Sequence, residues 1–298
     1  MDLRQLRSFT ILAEELHFGR AANKLFIVQP ALSKQIQELE KELKVSLFTR
    51  NKRKVSLTPA GIYLWNEAKH LLAQVEEIRN HLPMIERGEQ GEIRLGYVGS
   101  CIHTFLPEIL VELNQRYPAV QTYLSEMTTA SQLEALQKGM LDVAFVRNPP
   151  FDARWDTRLM YRETFALVLP ADHPVEAINF PGLSAFASEK FILTTRQDGA
   201  AYHHQQLSIC QDAGFYPHIV HETVHGHTVL QLIEKRLGIS LLPTSFCRVT
   251  TAAVKFIELK DIPQRAEITA LWERENPNPV LRGFLEVLVR EGFRSADI

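Results

Sequence analysis

Gln29-Pro30-Ala31-Leu32-Ser33-Lys34-Gln35-Ile36-Gln37-Glu38-Leu39 is the stretch on which the fold turns. Proline is favoured in the first turn of a helix, where its missing N–H costs nothing. Ala31/Leu32, Ile36, Leu39 and Leu43 then recur at three- and four-residue spacing, which is one apolar stripe of a helix. Gln29, Ser33, Lys34, Gln37 and Lys41 are left on or near the outer side, so hydrogen-bonding groups gather at the helix start. Upstream, Phe26-Ile27-Val28 reads as a tight turn. Residues 20–25 read as a short helix in which Ala21 and Ala22 allow close packing. His17-Phe18-Gly19 separates it from a first helix whose apolar face is Leu3, Leu6, Phe9, Leu12, Ala13 and Leu16. Two short helices, a tight turn and a polar-tipped helix form a helix-turn-helix, whose last helix enters the major groove by its N-terminal end. Gln pairs bidentately with adenine, Ser reaches base edges or phosphate, and Lys contacts guanine or phosphate. A plain three-helix packing unit is the alternative reading.

Downstream, residues 47–58 place Arg50, Lys52, Arg53 and Lys54 within five positions between two short apolar strands. That pattern predicts a hairpin with a cationic tip, a wing that touches phosphates or enters a minor groove. A solvated charge run is the competing reading, weakened by the neighbouring helix pair. Charge supports the wing: residues 1–60 hold 11 Lys and Arg against 6 Asp and Glu, a net +5, within a chain of net charge −2. A basic head on an acidic body suits a nucleic-acid module joined to something else.

The chain has 298 residues, 45% hydrophobic and 23% charged, which excludes collagen-like, disordered and disulfide-stapled classes and predicts two or three domains. Three widely spaced cysteines, Cys101, Cys210 and Cys247, argue against a disulfide framework or a cysteine metal site. No apolar run approaches the ~20 residues that span a bilayer. The first residues do not resemble a signal peptide. A cytoplasmic protein without membrane association is expected.

After the wing, Leu64, Ala68, Leu71, Val75, Ile78, Leu82 and Ile85 alternate in steps of four and three, a heptad seam flanked by charges. One helix cannot bury that seam alone, so pairing of two chains is expected; packing on its own body is the alternative. Pro83 should end or kink the helix near Leu82, and Gly88–Gly91 reads as a hinge and domain boundary.

From Glu92 the period changes. Short apolar runs at 93–98, 120–124, 141–146, 165–170, 191–194, 219–220, 239–242, 256–259 and 268–272 alternate with helical patterns at 105–116, 131–138, 200–213, 228–236 and 280–291. This predicts α/β units with parallel sheets and helices on both faces. Ser131-Gln132-Leu133-Glu134 reads as a capping box. Ligands in open α/β sheets bind beyond the carboxyl ends of strands. Those ends carry Gly99, Ser100, Cys101, Thr128, Thr129, Arg147, Thr194 and Arg196, a set of hydroxyls, amides and two arginines suited to a small carboxylate. Helix capping and surface solvation are the bland readings of the same residues. His203 and His227 follow strand ends and join the cleft set. The cluster His203, His204, His218, His221, His225 and His227 invites a metal reading, but no cysteine or carboxylate pattern completes a ligand set, so no metal or cofactor is expected. No phosphate loop, HExxH or nucleophile elbow occurs. An enzyme acting on a small carboxylate in the same cleft is the alternative of a different class. A transport-type solute-binding module fails for want of an export signal.

Residues 1–60 resemble the winged helix-turn-helix of LysR-type transcriptional regulators. The match runs through Leu3-Arg4-Gln5-Leu6-Arg7-Ser8-Phe9, Phe18–Leu25, Gln29–Glu40, Leu47-Phe48-Thr49-Arg50 and Leu57-Thr58-Pro59-Ala60-Gly61. Residues 92–298 resemble the effector-binding region of that family, two Rossmann-like halves similar to type 2 periplasmic binding proteins. Gly139-Met140-Leu141-Asp142-Val143-Ala144 and Gly238-Ile239-Ser240-Leu241-Leu242-Pro243 help to carry that match. The resemblance implies a DNA-binding domain at 1–58 and a linker helix with hinge at 59–90. It implies one effector subdomain at 91–161 plus 267–298 and a second at 162–266. It further implies DNA contacts from Gln29, Pro30, Ser33, Lys34, Arg50, Lys52 and Arg53, with Lys34 standing where many members carry arginine. A double-stranded operator, a small-molecule effector, a homodimer assembling to a homotetramer and RNA polymerase are the implied partners of such an activator. The text near 51–54 and 146–149 looks most like members controlling aromatic-compound catabolism, which suggests an organic or aromatic acid as effector.

Overall fold

The computed structural model describes residues 1–51, 54–149 and 152–290. The chain divides into two compact units, Met1–Met84 and Ile85–Ile298.

In the first unit, α1 (Leu3–Glu15) starts with a reciprocal cap: Gln5 N donates to Asp2 Oδ1 at 2.8 Å, and Asp2 N donates to Gln5 Oε1 at 3.0 Å. Helices α2 (Phe18–Lys24) and α3 (Gln29–Leu43) follow. Leu6, Phe9 and Leu12 of α1 close on Ala21, Ala22, Leu32, Ile36 and Leu39 in one core, as the spacing predicts. Strands β1 (Phe48–Asn51) and β2 (Lys54–Leu57) pair antiparallel as the wing. Glu40 ties it to α3, its Oε1 accepting from Leu47 N at 2.7 Å and Phe48 N at 3.1 Å. The next helix, α4 (Pro59–Glu86), begins against the wing so closely that a Cβ on Gly61 would lie 2.1 Å from the Leu47 carbonyl oxygen. Only glycine fits there.

Helix α4 does not stop at Leu82. It runs through Pro83 to Glu86, so of the two expected outcomes, an end or a kink near Leu82, the end is overturned. Proline removes one hydrogen bond, to the carbonyl of Arg79, and Arg79 is exposed, so water can satisfy that carbonyl. The heptad seam is largely uncovered along this helix: Leu71, Ile78, Leu82 and Ile85 are all exposed, whereas Ala68 is buried in the head's core.

The second unit holds two sheets. The first has the order β4 (Ala119–Glu126), β3 (Gln90–Tyr97), β5 (Val143–Arg147), β12 (Ala266–Glu273), β6 (Trp155–Glu163). The β4–β3 and β3–β5 pairs are parallel; the β5–β12 and β12–β6 pairs are antiparallel. The second set repeats the pattern. Parallel β9 (His218–Thr223) and β8 (Lys190–Thr194) reach β10 (Ser240–Pro243) through a parallel bridge, Phe191 to Ile239. Strands β10, β7 (Phe165–Pro170) and β11 (Val254–Glu258) are antiparallel. The sheets are therefore mixed, which corrects the all-parallel expectation. Strand β6 went unread because its residues alternate apolar with Asp and Arg at a sheet edge instead of forming an apolar run.

Helices cover both faces, as expected. In β5, Val143 and Phe145 pack in a core with α5 (Leu106–Arg116) and α9 (Pro279–Arg290), while Ala144 and Val146 pack on the other face with α6 (Thr129–Gln137). In the second sheet, Leu167 and Val168 of β7 split likewise between a core containing Ile209 of α7 (Ala200–Asp212) and one containing Leu230 of α8 (Gly226–Glu234). Ser131 lies inside α6, not at its cap; Thr128 is the cap, accepting from Ser131 N at 3.2 Å. The chain passes from the first half to the second between Glu163 and Phe165, and returns between Glu258 and Ala266.

Candidate functional site

At the head, the turn after α2 brings α3 out with Gln29, Pro30 and Lys34 exposed and Ser33 half-buried. Lys34 Nζ lies 3.9 Å from Glu38 one turn on. Val28 occupies the cap position of α3, makes no side-chain cap bond and is 70% exposed. Phe26, in left-handed conformation, is exposed beside it. The backbone of Arg50 lies in β1, opposite Val55. Lys52 and Arg53 lie outside the described residues.

Within the second unit, strand ends from both halves enclose a cavity of about 250 Å³. Gly99, Ser100, Thr128, Thr129, Arg147, Thr194 and His227 line it. Arg147 ends β5 and its side chain is 8% exposed. Its backbone N donates to Thr129 Oγ1 at 3.2 Å, and its Nη2 donates to Ser100 Oγ. The guanidinium carbon sits 5.2 Å from the ring centre of Tyr202. Nη1 is buried without a hydrogen-bond partner, 3.8 Å from Glu163 Oε1. Glu163 is itself buried and accepts from Ser245 N at 2.6 Å, Ser245 Oγ at 3.0 Å and Thr244 Oγ1 at 3.3 Å. Burial pushes its carboxyl above the usual carboxylate range, against the pull of Arg147 and those donors.

Three residues of the expected set stand apart from the lining. Cys101 is fully buried in the core of the first half, where desolvation pushes its thiol up to about 12. The 3-10 turn Gly99–His103 turns it inward while Ser100 and Gly99 face the cavity. Arg196 is exposed beyond the end of β8, past the rim. His203 sits on α7 behind the lining, its Nδ1 2.5 Å from the Thr194 carbonyl oxygen, so it steadies that strand end. Thr194 is steadied again by Gln206, which accepts from its hydroxyl at 3.0 Å and from its N at 3.1 Å. The Thr128 hydroxyl is committed to capping α6 even though it lines the cavity. Among the described residues no group of three or more His, Cys, Asp or Glu is placed to hold a metal.

Sequence reasoning missed Glu126, Asp198, Tyr202, His103 and Phe246, all of which line the cavity, as does His225 of the histidine cluster. Glu126 ends β4 and His225 precedes α8; their side chains approach at 3.5 Å from opposite halves. Ala130 N donates to the Asp198 carbonyl oxygen at 3.3 Å across the same opening. Glu126 was discoverable, since it stands at a strand end two residues before Thr128. Glu163 was hidden with the unread strand β6.

Family comparison agrees with this geometry. Residues 3–62 match the bacterial regulatory helix-turn-helix protein of the lysR family, and residues 86–292 match the LysR substrate binding domain. The HTH-type transcriptional regulator AlsR of Bacillus subtilis is 31% identical over 96% of this chain and 95% of its own. BenM of Acinetobacter baylyi is 33% identical over 88% and 86%. Full-length CbnR complexed with its target DNA superposes with a TM-score of 0.83 over 97% of this chain and 99% of that one, at 24% identity, a likeness of fold. Among the described residues no helix is long and apolar enough to cross a membrane. A helix-turn-helix with an exposed polar-tipped helix, joined to a two-halved α/β cavity and matched by both models, makes this chain a member of the LysR family, a DNA-binding transcriptional regulator with an effector-binding domain and not an enzyme.

Proposed function

We propose that this regulator alters transcription from its promoter when a small organic acid, of aromatic size, occupies the cavity between the two α/β halves. The buried Arg147 guanidinium with an unpartnered Nη1 is the observation that carries this reading, because a desolvated cation short of hydrogen bonds draws a carboxylate. Ligand binding shifts the relative orientation of the halves, provided the ligand binds the two orientations unequally. The Glu126–His225 contact and the Ala130–Asp198 bond span the opening and are the contacts such a shift would rearrange.

Gln29, Pro30, Ser33 and Lys34 face the major groove, and Arg50, Lys52 and Arg53 supply the wing's phosphate contacts. The exposed Leu71, Ile78, Leu82 and Ile85 supply the seam of a homodimer, which duplicates the head for an interrupted palindrome. Two dimers assemble and act on RNA polymerase. The effector cleft is tested by a thermal-shift screen of small aromatic and aliphatic acids against wild type and Arg147→Gln. A stabilising acid whose effect disappears in the variant supports the site; an equal effect in both overturns it. The head is tested with duplexes selected from a random library. Lys34→Ala should lower affinity and flatten the salt dependence by about one phosphate contact, with dimerisation unchanged.

A further inference from the structure

We propose that the cleft selects a monocarboxylate with an uncharged hydrogen-bond donor at its far end and rejects the dicarboxylate of the same shape. This rests on the effector reading above and adds the chemical class of the ligand. The cavity is polarised from floor to mouth. The floor holds Arg147 with Ser100, Thr129 and Tyr202, all buried. Arg147 is the one Lys or Arg among the described lining residues. Its neighbouring anion, Glu163, spends its oxygens on Ser245 and Thr244, leaving Nη1 free for one incoming carboxylate. One guanidinium that already faces a buried carboxylate offers its unpartnered Nη1 to one incoming carboxylate and has no charge to spare for a second.

The mouth carries the opposite sign. Glu126 is half exposed there and Asp198 lies at the rim, with the imidazoles of His103, His225 and His227 around them. Glu126 Oε1 faces His225 Nδ1, and Asp198 Oδ2 accepts from the Thr195 hydroxyl, so both carboxyl groups keep spare acceptor oxygens toward the opening. A hydroxyl or carboxamide at the far end of the ligand finds acceptors. A second carboxylate finds like charge in a site partly shielded from water, and such juxtaposition is an efficient means of rejection. The apolar middle, including Val98, Ile102, Met127 and Phe246, suits a flat or branched hydrocarbon body between the two ends.

The test uses isosteric pairs that differ by one charge: terephthalate against para-carbamoylbenzoate, succinate against succinamate, and glutarate against glutaramate. Binding to the full-length protein is measured by titration calorimetry at about pH 8, above the imidazole range. In whichever pair binds, the half-amide is expected to bind at least about tenfold more tightly than the diacid. The Glu126→Gln/Asp198→Asn double variant is expected to close that gap, strengthening the diacid by removing the like charge and weakening the half-amide, whose donor then meets neutral amide oxygens in place of carboxylates. A diacid that binds wild type as well as its half-amide overturns the proposal. So does a gap that persists unchanged in the double variant. Absence of binding by every acid to both proteins overturns the effector-cavity reading and the selectivity with it. Circular dichroism confirms that the double variant, altered only at exposed and half-buried positions, remains folded.

Discussion

Helices α3 and α6 both begin at a site proposed to meet an anion, yet they begin differently. At α3 the cap is Val28, which is exposed and whose side chain accepts no backbone N–H, and Gln29 and Pro30 follow it into solvent. At α6 the cap Thr128 accepts from Ser131 N, Ala130 N is taken by Asp198, and the Thr129 hydroxyl accepts from Arg147 N. The first helix start is left open to solvent, as the proposed contact with a polyanion from outside requires. The second is satisfied internally, so its amides are spent on geometry, and the charge offered to a ligand comes from Arg147. A cap that a sequence reader counts as an anion site is thus, at α6, part of the wall.

The sharpest challenge to this contrast is removal of Arg147. Arg147→Ala leaves Glu163 buried without its neighbouring cation and should cost about 3–5 kcal/mol of stability in denaturant unfolding. A loss near zero would mean that Glu163 is neutral in the folded protein. Next, Ile78→Ala with Leu82→Ala should weaken the proposed dimer about a hundredfold in sedimentation, since two apolar side chains leave the seam, while the cleft's response to an acid persists. Unchanged self-association would return the seam to some other use.

Glu163 supplies a smaller effect with a definite sign. Its folded-state carboxyl is raised above the ordinary value by burial, so between that ordinary range and the raised value the folded chain holds a proton that the unfolded chain has released. Stability should therefore fall as pH rises from the ordinary carboxylate range through that raised value by this group's contribution, and Glu163→Gln should remove that part of the slope. A wild-type slope identical to the variant's would refute the assignment. Smallest are the two caps. Thr128→Ala should destabilise by about 1 kcal/mol, whereas Val28→Ser should stabilise by about 0.5–1 kcal/mol by supplying the missing acceptor. Thermal unfolding compares them directly. If Val28→Ser gains nothing, the two helix starts are not as different as their caps suggest.

The head was readable almost residue by residue. Its contacts are local, so the periodicity of Leu32, Ile36 and Leu39 and the Pro30 start specify α3 directly, and the hairpin follows within twenty residues. The choice between an end and a continuation of α4 at Pro83 was not readable, because whether an orphaned carbonyl meets water depends on exposure. In the body, apolar runs located eight of the nine strands from β4 to β12 and also β3, but β6 carries its burial in alternation, and pairing direction is absent from any run. The cleft divides the same way. Strand ends are local facts, and they pointed to Ser100, Thr129, Arg147 and Thr194. Cys101 beside Ser100, or His203 behind Thr194, could be assigned a direction only when the 3-10 turn and α7 were in place. The Arg147–Glu163 pair and the facing of Glu126 toward His225 join segments 16 and 99 residues apart; the first arises from the insertion of β12 between β5 and β6 in one sheet and the second from the meeting of the two halves, and neither follows from any pattern along the chain.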